Sequence, residues 1–199
     1  MISLKQMRAE LITVSPEMSQ LKNGLRTAFM KYDNKCNIIC QTPECVMPFK
    51  PDMNDEQTSK RHSMCFNVES ESPFKEKMEC IDAIVVAAAG ERSHEWFKKP
   101  RISEDFVDIN YTRIIRNGGE YADKFKFKTD KSTKFYNAEK EAITILDIPE
   151  RSTVRAIVEL RYVWINNGKF GATWVAKQVQ YMKAPLHLMD DEIEFVDDD

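Results

Sequence analysis

Three groups of residues have types that can do chemistry. The first is a set of soft metal ligands, Cys36, Cys40 and Cys45, with His62 and Cys65 further along the chain. Four such groups can hold zinc tetrahedrally, but the two-residue gaps that turn both thiolates of a knuckle toward one metal are absent. Reduced, buried or half-exposed thiols fit these residues better, and a zinc site built from Cys36, Cys40, Cys45 and Cys65 is the alternative. Five cysteines, an odd number, also argue against a disulfide framework. The second group is Glu104, Asp105 and Asp108. Three carboxylates can bind Mg²⁺ for nuclease chemistry, yet placed just after Ser103 they read more simply as the first turn of a solvated helix. The third group interleaves cations with aromatic rings: KFKFK at 124–128, and AIVELRYVWINNGKFGATWVAKQVQ at 156–180. Phosphates need Lys or Arg, and unpaired bases can stack on aromatic faces at about 1–3 kcal/mol each.

Enzymatic signatures are missing. The chain contains no G-x-x-x-x-G-K-[ST], G-x-G-x-x-G, H-E-x-x-H or G-x-S-x-G pattern. His62, His94 and His187 lie far apart, with no nucleophile or metal constellation around them. Binding without catalysis and without a cofactor is the reading the residues favour.

The elements that must carry the basic and aromatic residues are strands. In KFKFK, alternation puts Lys124, Lys126 and Lys128 on one face and Phe125 and Phe127 on the other. Residues 153–165 and 169–183 are rich in Val, Ile, Tyr and Trp, and the Asn167-Gly168 between them signals a two-residue hairpin turn. An unbroken register from that turn pairs Tyr162 with Thr173, Trp164 with Gly171, Val163 with Ala172, Ile165 with Phe170, and Arg161 with Trp174. The last pairing suggests a cation beside an indole. Each aromatic taken singly also fits a core position, because large rings are mostly buried.

Other segments complete the organisation. Residues 25–32 and 36–41 read as short strands joined at Asp33-Asn34, and the proline-bearing stretch after them as an extended connection. Residues 61–68 alternate as a half-buried strand. Ser72 and Pro73 open a helix with Phe74, Met78, Ile81 and Val85 on one stripe, Gly90 ending or interrupting it, and a second helix starts at Ser103. With 199 residues, 42% hydrophobic and only six glycines, one mainly β domain of α+β class is expected, with a helical insertion around 72–112. No apolar run is long enough to span a bilayer and the N-terminus lacks a signal-peptide pattern, so a soluble, intracellular protein is expected.

Charge divides the chain in two. Residues 189–199 carry −7 through Asp190, Asp191, Glu192, Glu194, Asp197, Asp198 and Asp199; against a net charge of −3, the remaining 188 residues carry +4. A basic body of residues 1–186 followed by an acidic, disordered tail at 187–199 is therefore expected.

Several stretches together resemble a known family: IICQTPECVMPF at 38–49, HEWFKKPRISEDFVDINY at 94–111, KFKFK, and VRAIVELRYVWINNGKFGATWVAKQVQ at 154–180. They resemble the OB-fold single-stranded-DNA-binding proteins of large DNA viruses, related to the acidic-tailed proteins of T7-like phages. The resemblance implies a Greek-key barrel with inserted helices that binds single-stranded DNA, without strong sequence preference, in viral DNA replication, recombination and repair. Carried across, Arg155, Arg161, Tyr162, Trp164, Lys169, Phe170, Trp174 and Lys177, with Lys124, Lys126 and Lys128, would line the groove. The tail would compete for that groove and recruit a polymerase, helicase or other replication protein, with Phe195 as an apolar handle, and the protein would form a homodimer. Phage tails end on an aromatic residue, whereas here Phe195 is followed by Val196 and three aspartates. Two other readings remain open: an interaction or virion protein acting through its tail without binding DNA, and an RNA-binding version of the fold.

Overall fold

The computed structural model describes residues 7–21, 24–51 and 62–183. The tail residues from Asp190 to Asp199, and most of the extended connection after Pro51, lie outside the described residues. Twelve strands and three helices follow one another as β1 Ile12–Gln20, β2 Arg26–Tyr32, β3 Ile39–Gln41, β4 Cys45–Val46, β5 Ser63–Val68, α1 Pro73–Glu91, α2 Ser93–Phe97, α3 Glu104–Asn110, β6 Tyr111–Thr112, β7 Ile115–Arg116, β8 Asp123–Lys128, β9 Lys134–Tyr136, β10 Ala142–Ile143, β11 Thr153–Asn166 and β12 Lys169–Lys183.

The β11–β12 hairpin is the spine. It turns through Asn167 and Gly168, both at positive φ (49° and 82°), as an Asn-Gly hairpin requires. Short strands line both of its flanks. Along β11, β2 pairs near the tip, then β3, then β4; along β12, β6 pairs near the tip, then β8, then β9. The main ladder runs β1-β2-β11-β12-β8-β5 and does not close among the described residues. Helix α1 reaches across the ends: Lys75 Nζ lies 2.7 Å from Asp123 Oδ2 of β8, and Arg92, just past the helix, donates to the Val14 carbonyl of β1 at 2.9 Å. The arrangement is an OB-fold-like, mainly β structure with inserted helices.

Local sequence explains the elements. Ser72 Oγ accepts from the Lys75 amide and Pro73 starts α1, whose buried stripe includes Phe74, Met78, Ile81 and Val85. Gly90 does not end this helix, which continues to Glu91 before α2 begins at Ser93. β5 alternates as its pattern predicts, with Met64, Phe66 and Val68 buried. The core is aromatic: Phe66 packs edge-on against Phe127 at 4.7 Å, Phe74 against Phe125 at 5.1 Å, and Phe125 against Trp174 at 5.9 Å. No helix among the described residues is long and apolar enough to cross a membrane.

Candidate nucleic-acid interface

The face of the spine turned away from the aromatic core carries the candidate site, and two bulges decide what it presents. Near the tip the unbroken register holds, with Tyr162 opposite Thr173, Val163 opposite Ala172, Trp164 opposite Gly171 and Ile165 opposite Phe170. Between Leu160 and Tyr162 the register then slips by one, so Leu160 faces Trp174 and Arg161 is left over on β11. A second slip, between Ile157 and Val158, leaves Lys177 over on β12. An extra residue reverses which alternate side chains point inward. Val154, Ala156, Val158 and Leu160 are buried before the first bulge, and Val163 and Ile165 after it.

This corrects the expected Arg161–Trp174 pair. Trp174 is 2% exposed and Phe170 0% exposed, so both rings belong to the core, although Trp174 also contributes to the lining of the cleft beside it. Phe170 is held among Trp96, Phe97 and Tyr111. The rings left at the outer face are Tyr162, itself only 9% exposed, and the half-buried Trp164. Gly171 lets the Trp164 ring lie flat against β12, since a Cβ there would meet Trp164 Cζ2 and the Thr112 carbonyl oxygen, each at 3.0 Å.

Beside these rings is a cleft of about 410 Å³ lined by Arg113, Arg116, Lys126 and Lys128, with Tyr162, Trp164 and Thr173. No carboxylate lines it. β8 positions two of the cations: Phe125 and Phe127 anchor it in the core, and Lys126 and Lys128 are exposed. Lys124 faces the same way but donates to Asn67 Oδ1 at 2.6 Å beside the cleft. Sequence reasoning missed Arg113 and Arg116. They enter on the turn between α3 and β8, where β7 sets Arg116 opposite Lys124. Asp82 of α1 fixes that turn from beneath: Tyr111 Oη donates to its carboxylate, and the Ile114 amide donates to Oδ1 at 3.1 Å. Burial pushes the Asp82 carboxyl up to about 6 against the opposing pull of these hydrogen bonds.

Along the same face, past Tyr162, the two bulge cations meet one buried acid. Glu159, with a side chain 4% exposed, lies 2.7 Å from Lys177 Nζ and 3.1 Å from Arg161 Nε, and Asn37 Nδ2 donates to its other oxygen at 2.6 Å. Arg161 also approaches Asp130 at 3.5 Å. Burial raises the Glu159 pKa, but Lys177 and Arg161 outweigh it and hold the carboxyl below its ordinary value. These two acids and two bases sum to zero, so Arg161 and Lys177 form a neutral saddle rather than part of the open cationic cleft. Arg155 lies farther along the strand, in a second pocket, and Lys169 is exposed at the hairpin tip.

The remaining expectations resolve plainly. Cys40 and Cys45 are buried, and burial pushes both thiols up to about 12. Cys36 is exposed and Cys65 half-buried, all five cysteines are free, and among the described residues no three His, Cys, Asp or Glu side chains gather as a metal site. The zinc alternative therefore has no geometry to support it. Glu104 and Asp105 open α3 behind the Ser103 cap, and Asp108 faces Arg113 at 3.8 Å.

Similar proteins place this architecture. No curated protein sequence matches the chain. Among solved structures it is similar to gp2.5, a single-stranded DNA binding protein encoded by bacteriophage T7, at 15% identity and a TM-score of 0.53, over 79% of this chain and 98% of that one. It is also similar to a C-terminal truncation of the single-stranded DNA-binding protein from bacteriophage Enc34, at 12% identity and a TM-score of 0.51, over 87% and 96% of the two chains. At such identities the likeness is one of fold. A family model described as "Family of unknown function (DUF5871)" matches residues 53–197, well over half of the chain, and the protein belongs to that family.

Proposed function

We propose that this protein binds single-stranded DNA without strong sequence preference. The observation that carries the reading is the cleft itself: four cations lie beside the half-buried Trp164 ring and the edge of the sheet that holds Tyr162, with no carboxylate among the lining residues. Lys126, Lys128, Arg113 and Arg116 neutralise backbone phosphates, and Tyr162 and Trp164 receive unpaired bases. A duplex keeps its bases stacked inside, which gives single strands the advantage. The proteins of like fold are single-stranded-DNA-binding proteins by their own descriptions.

In this reading residues 1–186 are the binding domain and 187–199 an acidic tail. The tail, with seven carboxylates, competes for the cleft at high effective concentration and is released to replication proteins when DNA binds. The setting is viral DNA replication, recombination and repair, with a homodimer as the working unit. The test is equilibrium binding of a fluorescent oligonucleotide across a salt series, with duplex DNA and RNA as competitors, for the intact chain and for a chain lacking 187–199. Single-strand preference, salt-weakened affinity and tighter binding after tail removal are expected. Equal competition by duplex, or no binding at low salt even without the tail, would reject DNA binding; unchanged affinity without the tail would reject the competition.

A further inference from the structure

The outer face of the spine holds a second pocket, of about 340 Å³, at the end away from the hairpin tip. Its walls are built in two rows across the sheet. One row sets Gln41, Ile157, Gln178 and Lys134 side by side on β3, β11, β12 and β9; the next sets Arg155, Gln180 and Tyr136 on β11, β12 and β9. Ile157 and Ala156 give an apolar floor, Lys140 closes one side, and no carboxylate lines the pocket.

The polar groups are planar and partly preorganised. Arg155 donates through Nε and Nη2 to the one oxygen Gln180 Oε1, at 3.0 and 2.8 Å. Gln180 is itself fixed, donating Nε2 to the carbonyls of Asn137 and Ala138 at 3.2 and 3.4 Å. The guanidinium is thereby tied to Gln180, and its remaining N–H groups have no hydrogen-bond partner among the described residues. Gln41 and Gln178 are exposed, and their side-chain amides have no hydrogen-bond partner among the described residues. Each carries a donor and an acceptor side by side, the pattern that matches the polar edge of a nucleobase. Tyr136 adds a half-buried ring.

We propose that this pocket is a nucleobase subsite, occupied by an unpaired base of the same strand whose phosphates lie in the cationic cleft. The inference rests on the single-stranded-DNA reading and extends it. Continuity assigns the occupant: both sites lie on one face of one hairpin, and the seven steps along β11 from Trp164 to Ile157 span about 23 Å at the usual rise of a strand. Between them is the neutral saddle of Glu159, Arg161 and Lys177, which a strand can cross without charge repulsion. Arg155 and Lys140 bring positive charge to this pocket, but the paired donor and acceptor of each amide and the Tyr136 ring match a base, whereas a phosphate can only accept hydrogen bonds and cannot stack.

The test combines Gln41→Ala with Gln178→Ala, two exposed positions outside the cleft, in the full chain. Oligothymidylates of about 4 and about 16 nucleotides bracket the footprints of OB folds. Unchanged melting, unchanged affinity for the short strand and an about tenfold loss for the long one are expected, with photo-crosslinking of a 5-iodouracil-substituted long strand to the peptide containing Tyr136 in wild type. Wild-type affinity of the variant for both lengths, with no such crosslink, overturns the subsite while leaving the cleft reading intact. If wild type binds neither strand, the cleft reading fails instead, and the pocket is judged by the Gln41 and Gln178 side-chain amide resonances on addition of thymidine monophosphate. Shifts then support a nucleobase site for free nucleotides; no shifts overturn it.

Discussion

Replacing Arg116 and Lys126 together by alanine removes two of the four cations lining the cleft while leaving the fold alone, because both side chains are exposed and no hydrogen bond of either holds the sheet. Each phosphate neutralised on a single strand contributes about −0.7 to the slope of log affinity against log salt. If all four cleft cations engage phosphates, the cleft contributes a slope of about −2.8, and affinity falls about 50-fold from 50 to 200 mM salt. With two cations gone that contribution is about −1.4, and the same salt change costs only about sevenfold. Arg113 lies 3.8 Å from Asp108, but both partners are exposed and the pair is screened, so Arg113 keeps most of its charge for phosphate. Fluorescence anisotropy of a labelled oligothymidylate across that salt range reads both slopes directly. A double variant with wild-type slope and intact melting would show that phosphates run elsewhere, and the cleft would lose its role.

Three further outcomes follow from named contacts. Glu159→Ala leaves Arg161 and Lys177 facing each other across the bulges without their shared carboxylate; a loss of about 3 kcal/mol in urea unfolding is expected, and a loss below about 1 kcal/mol would show that the saddle adds little to stability. Asp82 has a folded-state pKa raised to about 6 from an ordinary 3.8, so its folded state holds a proton that its unfolded state has released. Its contribution is present below about pH 4 and lost as pH rises through about 6, up to about 3 kcal/mol, whereas Asp123 and Asp130, held low by Lys75 and by Ser132 respectively, act in the opposite sense at more acid pH. Asp82→Asn keeps an acceptor for Tyr111 and Ile114, so stability measured at about pH 4 and about pH 7 should differ less in the variant; an equal difference would refute the assignment. Gly171→Ala pushes a methyl group against Trp164 and the Thr112 carbonyl, and should cost about 1 kcal/mol of stability and several-fold in oligonucleotide affinity, with wild-type binding as the contrary result.

The parts of this fold legible in the sequence are those governed by local rules. Ser72-Pro73 marks the start of α1, alternation marks β5 and β8, and Asn167-Gly168 fixes the hairpin tip because only that dipeptide type accepts two successive positive φ values readily. The bulges at Arg161 and Lys177 were not legible, since a period-two pattern assumes that every residue has a partner. Arg161 sits one residue beyond the reach of that assumption, and Trp174 consequently faces Leu160 and the core. Arg113 and Arg116 escaped for a different reason: Arg113 lies between two two-residue strands and Arg116 ends the second, elements too short for any periodic signal, and the buried Asp82 holds the turn that carries them. β1, absent from the sequence reading, carries Pro16 and so lacks a plain strand signature.

That proline has a consequence for crowding. β1 forms one edge of the sheet, and its pairing with β2 breaks between Val14 and Met18, around Pro16. Proline has no amide hydrogen to offer a neighbouring strand, and Arg92 already occupies the Val14 and Ser15 carbonyls. The middle of this edge therefore offers another chain's strand fewer backbone partners than an unbroken strand would. Copies packed side by side along a polymer would meet at such edges far more often than copies free in solution. The interrupted β1 weakens that route to merging of sheets at this edge.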